Sequence, residues 1–554
     1  MKKALKFISL SITVLLLGSC EKSAFLNKAP LSFISPSNFY KQISDFEMAL
    51  TGCYQMINAR ELPGDDVSEG TYNAGLQYML SAGTDELSLN SAGGGLDAEK
   101  FAVAQYSSTN TAIGDFWKAY YAGIMRCNVL IQKSTEVNFD EQSKKRLDEI
   151  IAEARFLRAF YYYHFATLFG GVPLMTTASP DPLAPRVSLK TLYSDLIIPD
   201  LMFGYQSLPH RATVSGGANK WTAAGYLGVV YNYLASCKRN NVSSNLNFEL
   251  NSFSWVDEGQ MSNSAKNILK EVVDQSGYKL TANYDYLFRE TTKAAQYEEC
   301  LFLAEASNQL TATYPSVVKL FAPGGDVNTF GGTWWTHRPT NEFVLKYGKD
   351  LDKRLSHNIT LPYSASPATP DVIINSVPYC EPRPSTGLPH WQNNAAKFRH
   401  VKPSAKTIPL WASGISIPLL RYADIMLQYS EALYFTGSEP AARLILSDLR
   451  TRVVKTGKTL ADLNTYYYKA DFITELLDER SRELCFESKR RIDLIRFGKM
   501  TAYLNGLSSA APLHSNYRVQ ELKANWKENK IWFPLPQREL DLNVNLRGHQ
   551  NPGY

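Results

Sequence analysis

The chain has 554 residues, more than one ordinary hydrophobic core accommodates, so two or more intimately packed parts are expected. Its 58 Lys and Arg nearly balance 53 Asp and Glu. Without a strong basic excess to displace counterions, a nucleic-acid partner is set aside. The aromatic content is the unusual figure: 32 Tyr, 26 Phe and 9 Trp make up 12% of the chain, and some of these rings are expected outside a core.

At the N-terminus, Lys2, Lys3 and Lys6 precede an apolar run from Phe7 to Leu17. That run is shorter than the roughly 20 residues a bilayer span needs and has the form of a secretory signal, residues 1–19. Leu17-Gly18-Ser19-Cys20 looks like a bacterial lipobox, which implies a diacylglycerol on Cys20 Sγ and cleavage just before it. Each buried CH₂ of an acyl chain contributes about 0.8 kcal/mol, so a multiply acylated cysteine tethers the protein to a membrane. Loss of the three lysines leaves 55 Lys and Arg against 53 acids, a net +2. The other six cysteines, Cys53, Cys127, Cys237, Cys300, Cys380 and Cys485, are far apart and form no CxxC. They read as small core hydrophobes rather than a disulfide framework, and no metal or cofactor is expected.

The next elements are helical. "DFWKAYYAGIMRCNVLIQK" is amphipathic, and after a short polar turn Leu147, Ile151, Ala154, Leu157, Tyr161, Phe165 and Leu168 recur at steps of three and four, one face of a long helix. Gly170-Gly171 and Pro173 end it. Further pairs are expected at about 188–207 with 219–236 and at about 417–436 with 439–455, the latter with Ser438 as N-cap and Pro440 in the first turn. Another helix is expected from about Asp471 to Phe497. The fold class is therefore mainly α: recurring helix pairs stacked in the tetratricopeptide manner, each burying its face against the next.

Residues 240–415 differ. "PGGDVNTFGGTWWTHRP", "TLPYSASPATPDV" and "PRPSTGLPHWQNN" are rich in Pro, Gly, Ser and Asn, and residues 60–100 form a second loop-rich patch. Loops held by a rigid frame are where binding residues concentrate.

Several stretches in order then resemble the SusD/RagB family of Bacteroidetes outer-membrane lipoproteins. They are "FLNKAP", "DFEMALTGCY", "FWKAYYAGIMRCNVLI", "AEARFLRAFYYYHFATLFGGVPL", "LLRYADIMLQYSEAL", "DERSRELCFESKRRIDLIRFGK" and the closing "FPLPQRELDLNVNLRGHQNPGY". The resemblance covers Cys20 to Tyr554. It implies an N-terminal helical part at 20–239, a loop-rich ligand-binding insertion at 240–415 and a C-terminal helical part at 416–554. It also implies capture of extracellular glycan and a SusC-like TonB-dependent β-barrel transporter as partner. The family's binding residues vary, so no motif carries them over.

Signatures of catalysis are sparse: no HExxH, no GxSxG, no GxxxxGK[ST]. Glu483 and Glu487, four apart, could serve as paired carboxylates. Their setting among Arg480, Arg482, Arg490, Arg491 and Arg496 reads better as a salt-bridged structural helix, with Glu487 to Arg491 an i,i+4 pair. No enzyme is expected. For binding, Trp334 and Trp335 sit between glycines and a proline, where no periodicity requires them inside. An indole stacks on the C–H face of a sugar, and His337, Arg338 and Asn341 are near enough in sequence to bond hydroxyls. Trp391, beside His390 and Gln392, repeats the combination. The expected ligand is a glycan. A peptide, as the RagB side of the resemblance allows, stays open, and a surface glycoside hydrolase is the rival from another class.

Overall fold

The computed structural model describes residues 39–58, 61–62, 65–66, 75–89, 95–306, 321, 337–360, 372–374, 377–379, 394–398, 414–508 and 518–554. Cys20, Cys380, Trp334, Trp335 and Trp391 lie outside them, as does the signal segment.

The scaffold is built from helices α1 (Ile43–Gln55), α2 (Thr111–Ser134), α3 (Glu141–Phe169), α4 (Ile198–Ser207), α5 (Lys220–Arg239), α6 (Glu258–Gln275), α7 (Tyr422–Phe435) and α8 (Glu439–Arg450). From α2 to α8 each packs against the next in chain order, and α1 lies across α2 and α3. This is the stacking of helix pairs that the periodicity predicts. The capping is local and sequence-encoded. The Asn110 side chain accepts from the Ala112 and Ile113 amides at the start of α2, and Asp140 accepts from the Ser143 amide at 2.8 Å at the start of α3.

The α3 stripe is buried as expected, apart from the half-buried Ile151, but burial does not stop at one face. Every residue from Ala152 to Phe169 except Arg155 is buried, so the second half of α3 is a central helix covered all round. Much of the aromatic surplus is spent here: Trp117 meets Phe165 and Phe169 edge-on at 5.1 and 5.3 Å, and Tyr120 meets Tyr161 at 4.9 Å. Close approach elsewhere needs glycine, since a Cβ on Gly228 of α5 would sit 2.4 Å from the Leu269 side chain of α6. Gly170 ends α3 at φ +77°, with the Asn251 amide 2.0 Å from where a Cβ would lie. The closing segment packs on this end of α3. The Phe533 amide donates to the Leu168 carbonyl at 2.8 Å, and Asn551 Nδ2 donates to the carbonyls of Phe169 and Phe533 at 2.9 and 2.7 Å.

Three expectations need correction. Residues 417–421 are not helical. Besides two short antiparallel strand pairs, 61–62 with 65–66 and 372–374 with 377–379, the described residues include strands β1 (Leu87–Leu89), β2 (Cys300–Ala304), β3 (His337–Pro339), β4 (Ile359–Thr360), β5 (Asn394–Ala395) and β6 (Ile417–Arg421), and β6 pairs antiparallel with β2. Both members of that pair are buried throughout, and a strand covered on both faces shows no alternation. The helix expected over Asp471–Phe497 is two helices, α9 (Phe472–Leu484) and α10 (Arg490–Arg496), separated by a turn with φ +62° at Phe486 and +58° at Ser488. The stretch read as loop-rich also contains α6, whose buried Ser262, Ala265, Leu269 and Val272 form a helical stripe in which two of the four residues are small. Among the described residues no helix is long and apolar enough to cross a membrane.

Candidate functional site

Three stretches that composition nominated separately come together. β1 runs antiparallel to β3, with Leu87 opposite Pro339, Ser88 opposite Arg338 and Leu89 opposite His337. β5 lies beside β3 and pairs with β4 through Thr360 and Asn394. In sequence, β1 falls within the 60–100 patch, β3 follows two residues after Trp335, and β5 begins three residues after Trp391. The β1–β3 ladder stops at Pro339, which has no N–H to continue it.

Of the nominated residues, His337 and Arg338 open β3, and Arg338 is half-buried. Asn341 begins the single helical turn Asn341–Val344, and its side-chain oxygen is buried without a hydrogen-bond partner among the described residues. Thr340 caps that turn, its Oγ1 accepting from the Phe343 amide at 3.1 Å. The same hydroxyl donates to the Asp85 carbonyl, while the Thr340 amide donates to the Glu86 carbonyl at 3.0 Å. Thr340 therefore ties the segment leaving β3 to the residues entering β1.

Those residues are held in turn by the scaffold, through groups that sequence reasoning did not single out. Asp85 accepts a bidentate pair from Arg490 of α10, Nε at 2.6 Å and Nη2 at 2.7 Å, and a third bond from Lys346 Nζ at 2.6 Å. Burial alone would raise the Asp85 carboxyl; Arg490 and Lys346 outweigh it and hold the group well below the usual carboxylate range. Among the described residues Glu86 accepts a single, neutral side-chain bond at Oε1, from Ser481 Oγ of α9 at 2.9 Å. Burial, helped by the neighbouring Asp85 charge, pushes its carboxyl up to about 7 against the pull of Arg490.

Glu86 thus makes a pH prediction. A carboxyl whose folded value is raised from 4.5 to about 7 keeps its proton longer in the folded than in the unfolded chain. Stability therefore falls as pH climbs through that window and is flat above it. Glu86→Gln keeps an acceptor for Ser481 and removes the titration, so it should be close to neutral at pH 5 and stabilising at pH 8, by up to about 3 kcal/mol. Urea midpoints of both proteins at the two pH values check this; an equal effect at both pH values would assign the slope to other groups.

The densest charge cluster is structural. Arg421, ending β6, donates to Glu299 at 2.9 Å, to Glu483 at 2.7 Å and to both Glu487 oxygens at 2.9 Å. Arg354 donates to Glu483 at 2.8 Å and forms an ion pair with Glu479 at the same distance. Glu487 also meets Lys397 at 2.5 Å. The expected Glu487–Arg491 pair is replaced, because the break after Leu484 turns Arg491 away to the Tyr106 hydroxyl, 3.1 Å distant. Glu483 and Glu487 are 0% and 1% exposed. Although burial raises it, Arg452, Arg421 and Arg354 hold Glu483 far below the ordinary range. Two ionised, buried and fully paired carboxylates cannot protonate a glycosidic oxygen or activate water, so they are no catalytic pair. Arg421 at the end of an apolar strand and Glu299 before one are the signals that could have revealed this network: charges embedded in apolar runs.

A mainly helical scaffold that clamps converging loop segments through buried ion pairs defines a loop-presenting scaffold protein. The chain belongs to the SusD family, which matches residues 274–554, and residues 38–232 match the family described as starch-binding, associating with outer membrane. It is similar to SusD-like protein P2 of Formosa agariphila, 24% identical over 99% of each chain. A crystal structure of a SusD homolog from Bacteroides thetaiotaomicron superposes with a TM-score of 0.72 at 21% identity, over 93% of this chain and 98% of that one. A laminarin-binding SusD-like protein superposes with a TM-score of 0.63 at 20% identity, over 93% and 100%. These likenesses show the fold.

Proposed function

We propose that the protein is a lipid-anchored outer-membrane lipoprotein, tethered through Cys20, that binds extracellular oligo- or polysaccharide without cleaving it. It passes the glycan to a SusC-like TonB-dependent transporter. The observation that carries the glycan-binding part is the meeting of β1, β3 and β5, which join the 60–100 patch to the segments bearing Trp334, Trp335 and Trp391. Aromatic faces and a few polar groups on one frame are what a sugar site needs. The family description of starch binding and the laminarin-binding relative support the same ligand class. The outer-membrane description and the lipobox-like Leu17–Cys20 support the location, and the transporter rests on the family resemblance.

The test is affinity electrophoresis in gels containing laminarin or starch, followed by calorimetric titration of the retained glycan. Retarded migration with no shortened product is expected; shortened products would make the protein a hydrolase. Trp334→Ala and Trp335→Ala should each cost about 1–3 kcal/mol of binding, roughly five- to 150-fold in Kd, with little change in melting temperature. Variants that bind like wild type would move the site to the Trp391 segment.

A further inference from the structure

Cys53 of α1 and Cys127 of α2 are 74 positions apart in sequence and both 0% exposed. The two helices cross antiparallel at very short range. A Cβ on Gly123 would lie 3.0 Å from Met56 Cβ, and Arg126 Nη1 donates to the Gly52 carbonyl at 2.7 Å. Cys127 is one turn beyond Gly123 and Cys53 one turn before Met56, so this antiparallel crossing brings the two positions to facing sites on the contact. From the far side Tyr161 Oη donates to the Cys53 carbonyl at 2.6 Å and fixes that turn of α1. The other described cysteines have different company: Cys237 faces Tyr233, Cys300 lies near Glu299 and Arg421, and Cys485 neighbours Tyr347 and Lys397.

We propose that Cys53 and Cys127 are a disulfide-forming pair that staples α1, the first described helix of the chain, to the α2–α3 hairpin. The oxidant is a small-molecule or protein disulfide. One cysteine thiolate attacks a sulfur of that disulfide, forming a mixed disulfide and expelling the first leaving thiolate, which takes up a proton. The second cysteine thiolate attacks the protein-side sulfur, closes Cys53–Cys127 and expels the second. Two protein thiols are oxidised and one disulfide is reduced to two thiols.

Burial, the largest cause, and the neighbouring Cys53 push the Cys127 thiol well above its ordinary value, so in the folded chain Cys127 carries little thiolate and reacts slowly. The bond therefore forms while the chain folds, and once formed it is shielded from reductant. An export signal, as residues 1–19 suggest, would deliver the chain to an oxidising compartment for that step. The chemistry itself does not depend on that reading, since the oxidant can be supplied in solution.

The test is refolding of the mature chain from denaturant in a glutathione and glutathione-disulfide buffer, and separately in dithiothreitol. Free thiols are then blocked with N-ethylmaleimide in denaturant and the protein is digested with trypsin. The oxidised sample should yield residues 42–60 linked to residues 127–133, and the reduced sample the same peptides separately, each carrying the blocking group. The oxidised protein should melt a few degrees higher, because the cross-link restricts the unfolded chain. Cys53→Ala and Cys127→Ala should each abolish that difference. Blocked Cys53 and Cys127 after oxidative refolding, a link from either to another cysteine, or a melting difference that survives both variants would overturn the proposal. Because the readout is a peptide bond map, its failure would leave the glycan-binding proposal standing.

Discussion

Arg421→Met should lower folding stability by about 3–5 kcal/mol or more, a large share of the 5–15 kcal/mol by which most proteins are stable. The reason is arithmetic of charge. Arg421 is 1% exposed and its five N–H groups serve Glu299, Glu483 and Glu487, none more than 1% exposed. Taking it away leaves three buried carboxylates sharing Arg452, Arg354 and Lys397. Burial then dominates, and the acids either bind protons on folding or hold the chain open. Arg421→Lys should recover little, since one ammonium cannot span three carboxylates in the geometry of a guanidinium fork. Urea denaturation of the three proteins at pH 7 checks both statements. Wild-type midpoints for the Met variant would mean that water, not Arg421, balances these acids.

What could be read from the sequence follows a physical division between local and non-local interactions. α2, α3 and α5 were legible because apolar spacing acts within a few residues. β6 was not: "ISIPLLRYADIMLQY" runs from strand to helix without losing apolar character, and what makes 417–421 a strand is β2, more than a hundred residues earlier. The break between α9 and α10 carries neither Gly nor Pro. Phe486 and Ser488 adopt positive φ because Glu483 and Glu487 must both reach Arg421, a constraint imposed from β6.

The same division governs the site. Composition picked out the loop stretches and their tryptophans, since Pro and Gly and the rings set among them are local signals. It could not show that β1, β3 and β5 meet, nor that Asp85 and Glu86 carry the load of holding them. Two adjacent acids in "GTDELSLN" look like an ordinary solvated turn until Arg490 and Lys346 arrive from other parts of the chain. The cysteine pair was missed for the same reason: 74 residues of separation hide the crossing of two helices.

Asp85→Asn should reduce stability by about 3–5 kcal/mol and weaken glycan affinity with it. The substitution keeps the size of the side chain and removes the charge that balances Arg490, itself 2% exposed, and Lys346. The Asp85 and Glu86 carbonyls receive the hydroxyl and amide of Thr340, so any shift of this turn moves β3 and the segment that precedes it. Adding Arg490→Gln should restore part of the lost stability, because the orphaned cation leaves with its partner; the double-mutant cycle then measures their coupling. Melting and calorimetric titration on the same samples distinguish two ways of losing binding. Trp334→Ala and Trp335→Ala should lose affinity at constant stability, whereas Asp85→Asn should lose both together. An Asp85→Asn protein that is less stable yet binds laminarin or starch as wild type does would show that the clamp serves the fold alone, with the loops positioned by contacts of their own.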